Sequence, residues 1–160
     1  MNSLENYTFV PQILDPLKTH KDIKDLSIKS PVLTMGTFDG LHIGHLHVLN
    51  QLKSLVEKYE GESVILTFWP HPRKVINSGD IGLLNSIEEK IELFERNGID
   101  HLIILEFTKE LASLTYKEFV QHVLVGKIQV AHLIFGYDHR FGKNGEGTID
   151  KLEPLAKQFS

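Results

Sequence analysis

Four short apolar runs alternate along this 160-residue chain with segments whose apolar residues recur at helical spacing, and that alternation restricts the fold more than any other feature. Val32–Met35 is apolar and stops at Gly36, as a buried strand does. Leu46, Leu49, Leu52, Val56 and Tyr59 then fall on one helical face across residues 45–59. Ser63–Trp69 is β-branched and aromatic and stops at Pro70. Ser86-Ile87-Glu88-Glu89 has the order of a capping box, and Ile87, Ile91 and Phe94 extend it as a stripe that ends near Gly98. His101–Phe107 reads as the third strand. Thr115-Tyr116-Lys117-Glu118 is a second capping box, opening a helix with Phe119, Val120 and Val123. Ala131–Phe135 is the fourth strand and ends at Gly136.

Strand and helix in strict alternation, with strands apolar on both sides, predict an α/β fold: a Rossmann-like, doubly wound parallel sheet with helices on both faces. Residues 1–30 are irregular and polar around Pro11 and Pro16, and no element is assigned to them. The composition is that of a globular domain, with 41% hydrophobic and 24% charged residues. The absence of cysteine excludes a disulfide framework, a thiolate zinc site and a cysteine nucleophile. A net charge of −4 argues against a broad nucleic-acid face. No apolar run approaches the roughly 20 residues of a membrane span, and Met1–Val10 lacks a signal-peptide pattern, so a cytoplasmic protein without membrane or nucleic-acid partners is expected.

In doubly wound sheets ligands sit at the carboxyl ends of the strands. Three such ends carry unusual residues. The first reads Gly36-Thr37-Phe38-Asp39-Gly40-Leu41-His42-Ile43-Gly44-His45. Its glycines allow backbone to approach a ligand, and a helix begins at about Gly44, where free N–H groups favour phosphate. His42 and His45 are three residues apart and can face one site, donating to phosphate oxygens. Phosphoryl and nucleotidyl transfer need mainly positioning and charge stabilisation, which such a set supplies. Two exposed histidines at a helix start are the plain alternative. A zinc site lacks a third ligand, because His47 points away from the face of His42 and His45.

The second end reads Phe68-Trp69-Pro70-His71-Pro72-Arg73, where two prolines limit the motion of His71 and Arg73 adds a fixed charge. The third reads Gly136-Tyr137-Asp138-His139-Arg140-Phe141-Gly142, followed by Gly145, Gly147 and Thr148. Its glycine density suits a loop beside a ligand, and Phe141 is placed to pack on a planar ring. It is no P-loop, since no lysine follows the second glycine.

Gly-x-Phe-Asp-Gly-x-His-x-Gly-His, fixing seven positions in ten, resembles the signature of the nucleotidyltransferase superfamily with the His-x-Gly-His motif. Together with Thr-Phe-x-Pro-His-Pro and the Gly-x-Asp-x-x-Phe-Gly loop, it resembles the N-terminal FMN adenylyltransferase module of bacterial bifunctional riboflavin kinase/FAD synthetases. The resemblance implies transfer of AMP from ATP to FMN, giving FAD and pyrophosphate, with magnesium bridging the ATP phosphates. It places Gly36, Thr37, Phe38, Asp39, Gly40, His42, Gly44 and His45 around ATP, with His42 and His45 as the catalytic pair. It places Phe68, Pro70, His71, Pro72, Arg73, Asp138 and Phe141 on the flavin side, and implies no protein metal ligand. It also implies a C-terminal riboflavin kinase domain as partner in the longer protein.

Two departures qualify it. Position 139 is histidine where the family commonly has phenylalanine. The family's Ser-Ser-Thr-x-x-Arg segment and the kinase module do not occur before Ser160. Residues 1–160 are therefore expected to be an adenylyltransferase domain cut near its C-terminus, which binds adenine nucleotide weakly and turns over slowly. Two other functions stay open at this point: transfer to a different small phosphate (pantetheine phosphate, nicotinamide mononucleotide, a polyol phosphate), or flavin and nucleotide binding without chemistry. His20, His101, His122 and His132 read as structural or solvated, and the charges of helices 50–60 and 88–96 as solvated faces.

Overall fold

Strand side chains alternate between the two sides of a sheet, and here both sides are apolar. The computed structural model describes residues 15–40, 43–77, 82, 85–136 and 138–158. Val32, Ile65 and Leu102 pack on one side with Leu49, Leu52, Phe94 and Ile99. Leu33, Val64, Leu66 and Ile103 pack on the other with Phe119, Val123, Leu124, Leu152 and Leu155. The strands are β1 (Lys18–His20), β2 (Pro31–Met35), β3 (Glu62–Trp69), β4 (His101–Glu106) and β5 (His132–Ile134). All pairings are parallel and the order is β1-β4-β3-β2-β5. Helices α1 (Ile43–Tyr59) and α3 (Ile87–Arg96) supply the first apolar layer. The second comes from α5 (Tyr116–Glu118), which continues as a π-helix over Phe119–Ile128, and from α6 (Ile149–Ala156). Short helices α2 (Pro72–Asn77) and α4 (Lys109–Ser113) pack against each other.

The expected doubly wound sheet is therefore present, and both capping boxes form with reciprocal side-chain and backbone bonds. Three elements differ from the sequence expectation. β1 lies in the segment given no element; its three residues are too few to show a period, and it is held by pairing Lys18 with His101. The helix after Thr115 widens to i→i+5 bonding. Gly126 fits that turn because a Cβ there would lie 2.9 Å from the carbonyl oxygen of Gln121, five residues earlier. Pro72 does not merely stiffen a loop but starts α2, the helix position where proline fits best.

The topology fixes where a ligand goes. From β2 the chain winds through α1 to β3 and β4 on one side, while β5 joins the opposite edge of β2. The loops leaving β2 and β5 diverge, and a crevice opens at their carboxyl ends.

Candidate active site

The loop after β2 is built around Phe38. Its ring is 4% exposed and meets Phe94 edge-on with centroids 5.4 Å apart. Burying this ring requires φ +45° at Phe38, the left-handed region that a non-glycine residue adopts only at a cost. Gly40 follows at φ +74°. Its N–H donates to Asn85 Oδ1 at 2.8 Å, and the Asn85 N–H donates to Asp39 Oδ1 at 3.2 Å. The Gly40 carbonyl accepts from His45 Nδ1 at 2.8 Å, which fixes the ring and puts a proton on Nδ1. His45 also packs on Phe38, with centroids 5.2 Å apart. Helix α1 carries no acidic side chain in its first turn, so nothing on it cancels the positive end of its dipole. His42 lies outside the described residues. Leu46 and Tyr59, expected on the buried stripe of α1, are each 40% exposed.

His71 is held by the start of α2. Its Nδ1 accepts from the Arg73 N–H at 3.2 Å and its carbonyl from the Lys74 N–H at 2.9 Å. The ring proton of the neutral form is thus on Nε2. Burial lowers the pKa of His71, and the charge of Lys90 lowers it further; Arg73 and Lys74 add to this while Asp39 opposes it. Arg73 is exposed and Phe68 half-buried, its ring edge-on to Phe107 at 5.6 Å. Pro70 follows a cis peptide bond after Trp69.

The loop after β5 is pinned against the start of α5. Phe141 is 8% exposed, stacked on Phe135 at 5.5 Å and tilted against Phe119 at 5.8 Å. Most of its surface is therefore taken by the core. His139 stacks on Phe135 at 5.1 Å, and its Nε2 has no hydrogen-bond partner among the described residues. Burial lowers its pKa, with Asp138 opposing. Asp138 is exposed.

These three strand ends converge on one cleft of about 1290 Å³. Its wall includes Gly36, Thr37, Phe38, Asp39, Gly44 and His45 from the first motif. It takes Phe68, His71, Pro72 and Arg73 from the second, and Asp138 and Phe141 from the third. Gly40 and Pro70 are not part of that wall. The volume exceeds the roughly 300–1,000 Å³ of a site for one small ligand. Contributors the sequence reading missed include His47, expected to point away from His45 but found on the same wall, and Asn85 and Lys90, which stand behind it. Lys90 corrects the expectation of a solvated charged face. It is 2% exposed, and its Nζ donates to the Thr37 carbonyl at 2.7 Å. Burial lowers its pKa and Asp39 opposes that shift. A signal existed: Lys90 sits three residues after Ile87 and four before Phe94, on the buried stripe itself.

A family model described as FAD synthetase matches residues 25–160 of this chain. The bifunctional riboflavin kinase/FMN adenylyltransferase of Bacillus subtilis is 34% identical over 135 residues, which cover 83% of this chain and 42% of that protein. A Listeria monocytogenes protein named FAD synthetase is 35% identical over 133 residues, 82% of this chain and 53% of that one. The bifunctional protein of Escherichia coli is 30% identical over 129 residues, 80% of this chain and 41% of its own. The chain thus spans between about two fifths and half the length of these relatives. A crystal structure titled as a macrolide-efflux protein from Streptococcus pneumoniae superposes with a TM-score of 0.74 at 24% identity, over 86% of this chain and 54% of that one. That likeness is one of fold alone.

Proposed function

Because the chain belongs to the FAD synthetase family, we propose that its cleft joins the AMP of ATP to the phosphate of FMN, giving FAD and pyrophosphate. The observation that carries this reading is the convergence of a phosphate-type helix start, a rigid imidazole with an arginine, and a glycine-rich aromatic loop on one cleft. In the step, an FMN phosphate oxygen forms a bond to the α-phosphorus as the bond to the bridging oxygen of pyrophosphate breaks. The FMN phosphate is already largely ionised near pH 7, so no residue need remove a proton. His45 would meet an α-phosphate oxygen at Nε2, since Nδ1 donates to Gly40. That nitrogen donates only when the ring carries a second proton, which an adjacent phosphate favours. His42 is the expected partner of this contact. The N–H groups at the start of α1 would share the negative charge.

Magnesium would enter as part of the nucleotide substrate. Among the described residues no group of three or more His, Asp or Glu stands close enough to hold a metal ion. Residues 1–160 then form the adenylyltransferase part, a riboflavin kinase module would be its partner in a longer protein, and the reaction would be cytoplasmic. Among the described residues no helix is long and apolar enough to cross a membrane.

Incubating the chain with MgATP and FMN and separating flavins by chromatography tests the reading. FAD should appear slowly, and His45→Ala should lower its rate by about a hundredfold or more, the effect of a lost oxyanion donor. Equal rates for His45→Ala and the parent chain would reject the role.

A further inference from the structure

We propose that Lys90 is a positioning residue for the transfer, holding the Thr37–Gly40 backbone from beneath and, through Gly40, the ring of His45. This rests on reading the cleft as a nucleotidyl-transfer site. Helix α3 does not depend on a cation for its packing at this position: Ile91 and Phe94 on the same face join the apolar cluster beneath the sheet. Burying an ammonium is costly unless it is bonded and paired. Among the described residues Lys90 meets that requirement through the loop, by its 2.7 Å bond to the Thr37 carbonyl and its attraction to Asp39.

The loop has reason to need such a hold. Phe38, the next residue after Thr37, is in the left-handed region at φ +45°. A conformation of that kind persists only where its surroundings fix it from several directions. Lys90 bonds one side of Phe38 and Asn85 the other, at Asp39 and Gly40. The next bond in the chain is Gly40 to His45 Nδ1. The charge of Lys90 also reaches His71 at the second strand end. His71 is faced by Lys90 from α3, Asp39 from the loop after β2, and Arg73 and Lys74 from α2.

Nitrogen-15 NMR of the imidazoles in the ligand-free chain tests this without substrate, using Lys90→Met and Lys90→Gln. In the parent, neutral His45 should carry its proton on Nδ1. In Lys90→Met that tautomer should lose population to the Nε2–H form, and the midpoint of His71 should rise. In Lys90→Gln, whose amide can still donate to Thr37, the His45 tautomer should be retained while the His71 midpoint rises. Turnover should divide in the same way. Lys90→Met should lower kcat for FAD formation by about tenfold to a hundredfold, as small misplacements do, with KM for FMN within about threefold. Lys90→Gln should recover part of it. An unchanged His45 tautomer in folded Lys90→Met would overturn the proposal, and if the methionine variant does not fold, so would an unchanged tautomer in Lys90→Leu, which likewise cannot donate to Thr37. If Lys90→Met shows the tautomer change yet the parent chain makes no FAD, the adenylyltransferase reading would instead be sunk and the positioning geometry left standing.

Discussion

Gly142→Ala isolates the strand-end geometry on which the cleft depends. Gly142 has φ +73° and ψ 178°, a region open essentially to glycine alone. A Cβ there would lie 2.7 Å from the Tyr116 nitrogen and 2.8 Å from its Cα. Both are backbone atoms of the first turn of α5, which cannot rotate away. The backbone strain costs about 1–3 kcal/mol and the forced displacement about 1–3 more. At roughly 2–4 °C per kcal/mol for a chain of this size, the melting temperature should fall by about 4–24 °C. Gly136→Ala is the matched comparison in the same loop. Its nearest neighbour would be Asp138 Oδ1 at an ordinary 3.7 Å, and no left-handed φ is involved, so it should melt within about 2 °C of the parent. Differential scanning calorimetry of the three proteins decides it. If Gly142→Ala melts with the parent, the packing of this loop on α5 is not as described.

Phe94→Ala removes a ring that is fully buried and supports Phe38 edge-on. It should cost about 3–5 kcal/mol in urea unfolding, and a loss under about 1.5 would contradict that packing. Acidification should destabilise the protein through His139. Its lowered pKa means that, below the unfolded value of about 6.5, the unfolded chain binds a proton which the folded chain does not. That contribution is complete above about pH 6.5 and is lost as the pH falls. His139→Phe should therefore lose less melting temperature between pH 7 and pH 5.5 than the parent; parallel losses would show that His139 is not the group responsible.

Local chemistry was the most legible layer of the fold. The Ser86–Glu89 and Thr115–Glu118 boxes were readable because each is closed by its own side chains within four residues. The central strands were readable because burial on both faces leaves an unbroken apolar run. β1 was not, because three residues held by a distant partner carry no pattern of their own. The π-helix depends on the fit of one glycine to one carbonyl, which periodicity does not register. The site divided along the same line. Its wall was legible as motifs at strand ends, whereas Asn85 and Lys90 act across 45 and 53 residues of sequence and become visible only when α3 lies beneath the loop. Lys90 was hidden further by its type, since lysine on a helix is ordinarily solvated.

The most direct test of the central claim is the fate of the α-phosphate. The chain is given MgATP labelled at that position, with FMN, pantetheine phosphate, nicotinamide mononucleotide and a polyol phosphate offered in parallel. Adenylyl transfer to FMN predicts label in FAD, with unlabelled pyrophosphate released in equal amount, and none on the other acceptors. Label on another acceptor, or binding of both ATP and FMN with no transfer, would contradict it.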